Sequence, residues 1–242
     1  YDADGTPRPA LLFFHGGGFV IGSLDTHDRF CRQVAHALGE TVLALDYRLA
    51  PEHPLPAAFE DARTLWRHVH AHGLEWGIDP ARVAVSGDSA GAVIAMDLCD
   101  HLARHGDGSR PRSAGLIYPA YGHAPDTPSR NALAKENVVL TGEVLEWFTE
   151  LASGGNPERI PARESIALRA FPATHIVTCG FDPLRDEGLE LMRHLVEHGV
   201  AASHSEHDHL FHGFITLGGL FPEVTDVARE LARFSRHHLA TT

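Results

Sequence analysis

The chain has 242 residues, of which 43% are hydrophobic and 21% are charged. This composition is typical of a globular protein with a substantial core, and the length fits one large domain. A formal net charge of −12, with only 20 scattered Lys and Arg residues, argues against nucleic acid or an anionic membrane as a partner. No apolar stretch approaches the length needed to span a bilayer.

Cysteine usage indicates a reducing compartment. The three cysteines, Cys31, Cys99 and Cys179, are odd in number and widely spaced. This pattern fits reduced, buried thiols better than a disulfide framework. We therefore expect a cytoplasmic protein.

The predicted elements alternate between strands and helices along the chain. Strands are predicted at 10–14, 41–46, 82–86, 114–118, 174–179 and 201–207. Helices are predicted at 26–38, 57–71, 92–98, 142–152, 184–197 and 223–239. Because most of the strands are continuous apolar runs, the alternation predicts an α/β fold with a parallel sheet covered by helices on both faces.

Residues 121–170 interrupt the alternation. They contain one predicted amphipathic helix, at 142–152, between polar loops rich in Pro and Gly. We expect a single domain over residues 1–242, in which 121–170 is an insertion over the C-terminal edge of the sheet.

The sequence Gly-Asp-Ser-Ala-Gly at 87–91 lies between a β-branched strand and an apolar helix. A G-x-S-x-G motif in this setting is typical of a nucleophile elbow, in which small residues let strand and helix crowd against a tight turn. We expect Ser89 to have strained backbone geometry with its hydroxyl exposed. A plain packing turn is the alternative, and the rest of the chain must decide between the two.

A second motif, His-Gly-Gly-Gly at 15–18, follows the first strand directly. Glycines after a strand allow backbone N–H groups to approach a substrate oxygen closely. The N–H of Ala90, the residue after the serine, would be a further donor for an oxyanion. A flexible glycine turn is the alternative for 15–18.

Candidates for an acid and a base follow the later strands. Asp182 comes directly after the strand at 174–179, and Asp182-Pro183 is also a common helix-capping pair, so capping and catalysis are both compatible with it. Asp186 falls in the first turn of the next helix, where the helix dipole explains it. We therefore favour Asp182 as the acid.

Four histidines crowd into the segment after residue 201: His204, His207, His209 and His212. His212 stands out because Gly213 allows a turn there and Phe214 returns to the core. The spacing of His207 and His209 could suit a metal, but no cysteine or carboxylate cluster accompanies it, so we expect no metal site and no cofactor. The order Ser, Asp, His is the order expected of an α/β-hydrolase.

Together these motifs resemble the bacterial hormone-sensitive-lipase family of α/β-hydrolase esterases. The matching segments are HGGG at 15–18, YRLAPEHP at 47–54, GDSAG at 87–91, DPLRDEG at 182–188 and HGF at 212–214. The resemblance implies a catalytic triad of Ser89, Asp182 and His212. It also implies an oxyanion hole formed by the N–H groups of Gly17, Gly18 and Ala90, on a loop that segment 47–54 braces.

The sequence departs from the family pattern in two places. Ala92 stands where the family usually has glycine, which should affect helix packing more than chemistry. The family's N-terminal cap and two opening strands precede its HGGG motif, which begins here at residue 15, so we expect those elements to be absent. The strand at 42–46 would then be an open sheet edge. We expect either self-association through it or a lower stability than that of a form with the opening segment restored.

The function implied is that of a serine carboxylesterase acting on small-molecule, short-acyl esters. Two alternatives stay open at this point. A deacetylase or amidase could use the same three residues, and a non-catalytic small-molecule-binding protein could share the fold.

Overall fold

The computed structural model describes residues 5–106, 110–122, 126–135, 139–161 and 166–240. Six strands and seven α-helices, with short 3-10 turns between them, are its regular elements. The strands are β1 (Arg8–Phe14), β2 (Thr41–Leu45), β3 (Ile78–Asp88), β4 (Ser113–Ile117), β5 (Ala173–Phe181) and β6 (Ala202–Phe211). The helices are α1 (Leu24–Leu38), α2 (Ala57–His72), α3 (Ala90–His105), α4 (Pro128–Leu133), α5 (Gly142–Ser153), α6 (Arg185–Glu197) and α7 (Glu223–Ala240).

The strands form one sheet in the order β2-β1-β3-β4-β5-β6, and every neighbouring pair is parallel. The predicted parallel sheet is confirmed. From β1 the chain runs to β2 on one side, and from β3 it runs to β4 on the other. The loops after β1 and β3 therefore lead in opposite directions and leave a crevice between them. Open parallel sheets bind their ligands at such a topological switch point.

The side chains of β1 pack alternately into two hydrophobic cores, one on each face of the sheet. Ala10, Leu12 and Phe14 pack in the cluster that includes residues of α2, α3 and α6. Leu11 and Phe13 pack on the other face with α1 and α7. All five side chains are buried. A strand covered on both faces has no polar side to display, which explains the continuous apolar run in the sequence.

Segment 121–170 holds more helix than predicted. The prediction of a single helix there was wrong, because α4 precedes α5. Thr127 Oγ1 accepts a hydrogen bond from the Arg130 N–H at 3.3 Å, and Pro128 is the first residue of α4. Both are helix-start signals. Six residues are too few to show a hydrophobic period, so the pattern alone missed this helix.

The last strand is also longer than predicted. It ends at Phe211, so that His207 and His209 lie within β6 and His212 follows it directly. Of the described helices, none is both long and apolar enough to cross a membrane.

Candidate active site

Ser89 lies in the turn that joins β3 to α3. Its backbone has φ 52° and ψ −118°, a conformation that a residue with a side chain adopts only under constraint. A Cβ atom on Gly91 would stand 1.9 Å from the carbonyl oxygen of Phe14, and one on Gly87 would stand 2.4 Å from the Gly91 backbone. The turn thus packs directly on the end of β1, which only glycine permits. The predicted strain at Ser89 is confirmed.

The structure joins Ser89, His212 and Asp182 in one hydrogen-bonded chain. His212 Nε2 lies 2.8 Å from Ser89 Oγ, and His212 Nδ1 lies 2.8 Å from Asp182 Oδ2. A carboxylate only accepts, so Nδ1 carries the hydrogen and Nε2 is free to accept from the serine hydroxyl. His212 is 6% exposed and Asp182 is fully buried. The ring is therefore fixed with its basic nitrogen towards the serine.

The two aspartates of segment 182–188 have different partners. Asp182 uses its second oxygen, Oδ1, to accept from the Leu184 N–H at 2.8 Å, so it orders the turn before α6 while it bonds His212. Asp186 Oδ2 accepts instead from the Ser129 N–H at 2.8 Å, at the start of α4. Asp182 thus orders the turn before α6 and bonds the His212 ring, whereas the N-cap residue of α6 itself is Leu184, without a side-chain cap.

The other three histidines of the segment point to partners outside the serine site. These partners are Thr178 for His204, Glu230 for His207 and Glu223 for His209. In the described ranges no group of three or more His, Cys, Asp or Glu side chains is arranged to hold a metal ion.

The loop after β1 and the start of α3 together bring three N–H groups to the same cleft as Ser89. Gly17 and Gly18 have φ angles of 118° and 61°, which side-chain-bearing residues rarely adopt. The N–H groups of Gly17, Gly18 and Ala90 have no acceptor among the residues described. All three residues line the cleft beside the serine. Donors left unpaired in this way are available to an oxygen atom of a ligand.

His15 and Tyr47 hold this loop against the sheet. The Tyr47 hydroxyl donates to the His15 carbonyl oxygen at 2.8 Å, and the two rings stack with centroids 4.2 Å apart. His15 Nδ1 donates to the Gly16 carbonyl oxygen at 2.7 Å. Burial lowers the pKa of His15, which keeps this ring neutral. The expected bracing of the loop by segment 47–54 is confirmed.

A buried carboxylate beneath the loop escaped the sequence analysis as a functional group. Asp88 is 2% exposed and accepts from the Gly16 N–H at 2.8 Å and from the Tyr118 hydroxyl at 3.0 Å. His27 Nε2 lies 3.1 Å from the same carboxylate. The sequence did offer a sign that His27 has a buried polar partner. His27 lies on the apolar face of α1 with Phe30 and Val34, where a histidine needs such a partner.

The cleft above these residues has a volume of about 660 Å³ and mostly apolar walls. One wall comes from α5, through Val144, Leu145, Trp147 and Phe148. A Cβ atom on Gly18 would stand 2.2 Å from the Phe148 ring, so α5 packs directly on the glycine loop. Segment 121–170 therefore shapes the space in front of Ser89.

Comparison with known proteins agrees with this geometry. A family model described as the alpha/beta hydrolase fold matches residues 11–216. The chain belongs to the alpha/beta hydrolase family. This membership confirms the fold and the family resemblance predicted from the sequence motifs.

Relatives of this hydrolase carry names of ester-cleaving enzymes. Esterase LipI of Mycobacterium tuberculosis is 38% identical over 92% of this chain and 71% of its own length. The ethyl acetate hydrolase of Pseudomonas putida is 35% identical over 95% of this chain and 73% of its own. The structure of a hyperthermophilic esterase from the archaeon Pyrobaculum calidifontis superposes with a TM-score of 0.88, at 34% identity, over 96% of this chain and 76% of that one.

Proposed function

We propose that this chain is a serine carboxylesterase that hydrolyses short-acyl carboxylic esters through an acyl-enzyme intermediate. The observation that carries the proposal is the chain of 2.8 Å hydrogen bonds from Ser89 through His212 to Asp182. The names of the relatives support an ester as the substrate rather than an amide.

The geometry supports an ordinary acyl-transfer sequence. Ser89 Oγ attacks the ester carbonyl carbon while its proton passes to His212 Nε2. The negative charge on the carbonyl oxygen is stabilised by the N–H groups of Gly17, Gly18 and Ala90. The alcohol leaves with the proton from His212. A water molecule then attacks the acyl-enzyme by the same route in reverse and releases the acid.

Asp182 orients the imidazole and stabilises its charged form. Because Asp182 Oδ2 accepts from Nδ1, the ring presents Nε2 to the serine and can hold the transferred proton. Its own position is fixed by the Leu184 N–H.

The cleft supports small apolar esters as the substrate class. Its charged side chains, apart from the histidines, are Asp88 and Arg130 among the described lining residues, and each has an ionic partner. Its volume of about 660 Å³ suits a drug-sized molecule rather than a triglyceride. We infer that segment 121–170 acts as an insertion whose helix α5 limits the chain length that fits.

A cytoplasmic location stays a prediction from the cysteines. All three are free thiols, with Cys99 and Cys179 buried and Cys31 half-buried. Burial raises the pKa of the Cys31 thiol to about 12, which keeps it unreactive.

The direct test is steady-state hydrolysis of p-nitrophenyl butyrate by purified wild-type and Ser89→Ala proteins. Loss of the nucleophile should lower kcat by several orders of magnitude, on the order of 10⁴-fold or more, without altering the fold by circular dichroism. Substantial turnover by a folded Ser89→Ala protein would refute the proposal.

A further inference from the structure

A buried polar network lies beneath the serine turn and the glycine loop. Its members are His27 on α1, Asp88 at the end of β3, and Tyr118 just after β4. All three are 4% exposed or less. The reaction steps above use none of these side chains. The network nevertheless contacts both the glycine loop and, through Tyr118, the ring of His212.

The hydrogen bond at Nδ1 and the carboxylate that faces Nε2 together assign the charge of His27. The Thr26 hydroxyl donates its single hydrogen to the Ser23 carbonyl oxygen at 2.8 Å, so towards His27 Nδ1, also at 2.8 Å, it can only accept. His27 Nδ1 therefore carries a hydrogen. On the other side of the ring, Nε2 faces the Asp88 carboxylate at 3.1 Å. Nε2 makes no aligned hydrogen bond there, but a neutral ring would turn its Nε2 lone pair towards this negative charge. His27 therefore pairs with Asp88 as an imidazolium cation.

Asp88 uses this cation to remain ionised in the core. An isolated carboxylate at 2% exposure would be strongly destabilised, since burial penalises charge. Burial alone lowers the pKa of His27, but the facing carboxylate outweighs it and raises that pKa above 6.5. Likewise, burial alone raises the pKa of Asp88, but His27, Tyr118 and the Gly16 N–H hold it below 3.8.

The ionised carboxylate reaches both parts of the reacting centre. Through Oδ1 it fixes the Gly16 N–H, one residue before the N–H groups of Gly17 and Gly18. Through Oδ2 it accepts from Tyr118, whose ring lies against His212 with centroids 4.5 Å apart. Movement of this one carboxylate would displace the glycine loop and the support of the base together.

We infer that His27 is a positioning residue for ester hydrolysis: its positive charge holds Asp88 in the ionised form that fixes the glycine loop and Tyr118. The inference rests on the proposed function, because the loop's role is to stabilise the oxyanion. Among the described residues, His27 contacts Asp88, Thr26, Phe13 and His15 but no member of the triad, so its effect acts through Asp88.

The test is a double-variant cycle measured as kcat and KM for p-nitrophenyl butyrate. His27→Gln should lower kcat about 10²-fold with KM within about twofold, as expected when donors to the transition state shift by about 1 Å. The double variant His27→Gln/Asp88→Asn removes both charges and keeps an amide oxygen for the Gly16 N–H. It should recover at least about tenfold in kcat over His27→Gln alone.

His36→Gln is the matched control, because His36 is an exposed histidine on the same helix, and its kcat should stay within about twofold of wild type. Thermal unfolding of each variant identifies any that is not folded at the assay temperature. An unchanged kcat in folded His27→Gln would overturn the inference while the proposed function stands. So would a double variant whose kcat falls by the product of the losses in His27→Gln and Asp88→Asn alone.

A measurement without turnover separates the two claims. The ¹⁵N chemical shifts of the His27 ring should show both nitrogens protonated at pH 7 in wild type and a neutral ring in Asp88→Asn. A neutral His27 in wild type would overturn the inference whatever the activity. Absence of any Ser89-dependent hydrolysis, with a charged His27, would instead overturn the proposed function.

Discussion

At the scale of single residues, the site depends on close packing of backbone on backbone. Ser89 presents its hydroxyl because the turn that carries it lies against the end of β1, with the Gly91 Cα facing the Phe14 carbonyl oxygen. No rearrangement of a flexible side chain can make room there, since the contacting atoms belong to the backbone.

Gly91→Ala should therefore destabilise the protein and lower its activity. The added methyl would stand 1.9 Å from a carbonyl oxygen, so the turn must shift, at a cost of at least about 2 kcal/mol in the free energy of unfolding. Gly142→Ala is the matched control, because its Cβ would make only ordinary contacts, beginning at 3.7 Å from Ala134. Urea unfolding of both variants measures the difference. Equal stability of the two would contradict the packing described.

Histidine substitutions distinguish the proposed base from its neighbours. His212→Ala should lower kcat/KM about 10³-fold or more, because the proton acceptor for Ser89 is lost. His209→Ala should change it less than about threefold, since His209 is exposed and contacts Glu223 on α7. Kinetics with p-nitrophenyl butyrate tests both. Comparable losses in the two variants would show that His212 has been given the wrong role.

At the scale of elements, α5 and α7 support different parts of the site. Helix α5 forms a wall of the cleft, where Phe148 packs on Gly18. Helix α7 packs against the sheet and holds β6, the strand that leads to His212, through Glu230.

Phe148→Ala should widen the cleft and shift the preference towards longer acyl chains. Removing the ring leaves apolar space beside the glycine loop, and each methylene buried there contributes about 0.8 kcal/mol. We expect the ratio of kcat/KM for octanoyl over butyryl p-nitrophenyl esters to rise about tenfold. Val196→Ala, an exposed residue on α6 outside the cleft, is the control. An unchanged ratio would mean that another wall sets the chain length.

The pairing of Glu230 with β6 predicts a pH window for stability. The rings of His175 and His207, at 3.9 and 3.7 Å, and a hydrogen bond from Ser205 hold the pKa of Glu230 below its ordinary 4.5. The stability that Glu230 contributes is therefore present above pH 4.5 and is lost as the pH falls through its folded-state pKa. The Glu230 carboxylate raises the pKa of His207 above 6.5 in spite of partial burial. The stability that charged His207 contributes is therefore complete below pH 6.5 and is lost as the pH rises.

The stabilisation should therefore be greatest between about pH 4.5 and 6.5. Glu223 and Asp226 on α7 also face His207 and act in the same direction on its pKa. Thermal unfolding of wild type and Glu230→Gln across pH 4 to 9 gives the difference in Tm, which should be largest in that window. A difference that keeps growing above pH 8 would be inconsistent with this pairing.

At the scale of the whole molecule, the sheet exposes β2 along one edge of its described part. Thr41 and Ala44 are exposed, and the strand carries no charge or proline that would discourage pairing with another chain. Self-association through this edge thus stays a prediction. Sedimentation velocity of the 242-residue chain should show a dimer or larger species, and a monomer once Ala44→Lys is introduced. A monomeric wild type at every concentration would rule this edge out as the contact.

The strand pattern and motif order were readable from the sequence, because strands buried on both faces are continuous apolar runs and each motif follows one directly. The contacts of Asp88 with His27 and Tyr118 were not, since they join residues 61 and 30 positions apart, which no local periodicity connects. Helix α4 was missed for a different reason: six residues are too few to display a period. The apolar periodicity of the sequence therefore predicts neither long-range polar pairs nor helices as short as α4.

The central claim is that Ser89 is a nucleophile activated by His212. Its most direct test is labelling with a fluorophosphonate, followed by mass spectrometry of the intact protein and of its peptides. We predict one adduct per chain, located on Ser89, no adduct in Ser89→Ala, and labelling slowed by several orders of magnitude in His212→Ala. A folded wild-type protein that stays unlabelled, or that carries its adduct on another residue, would contradict the account.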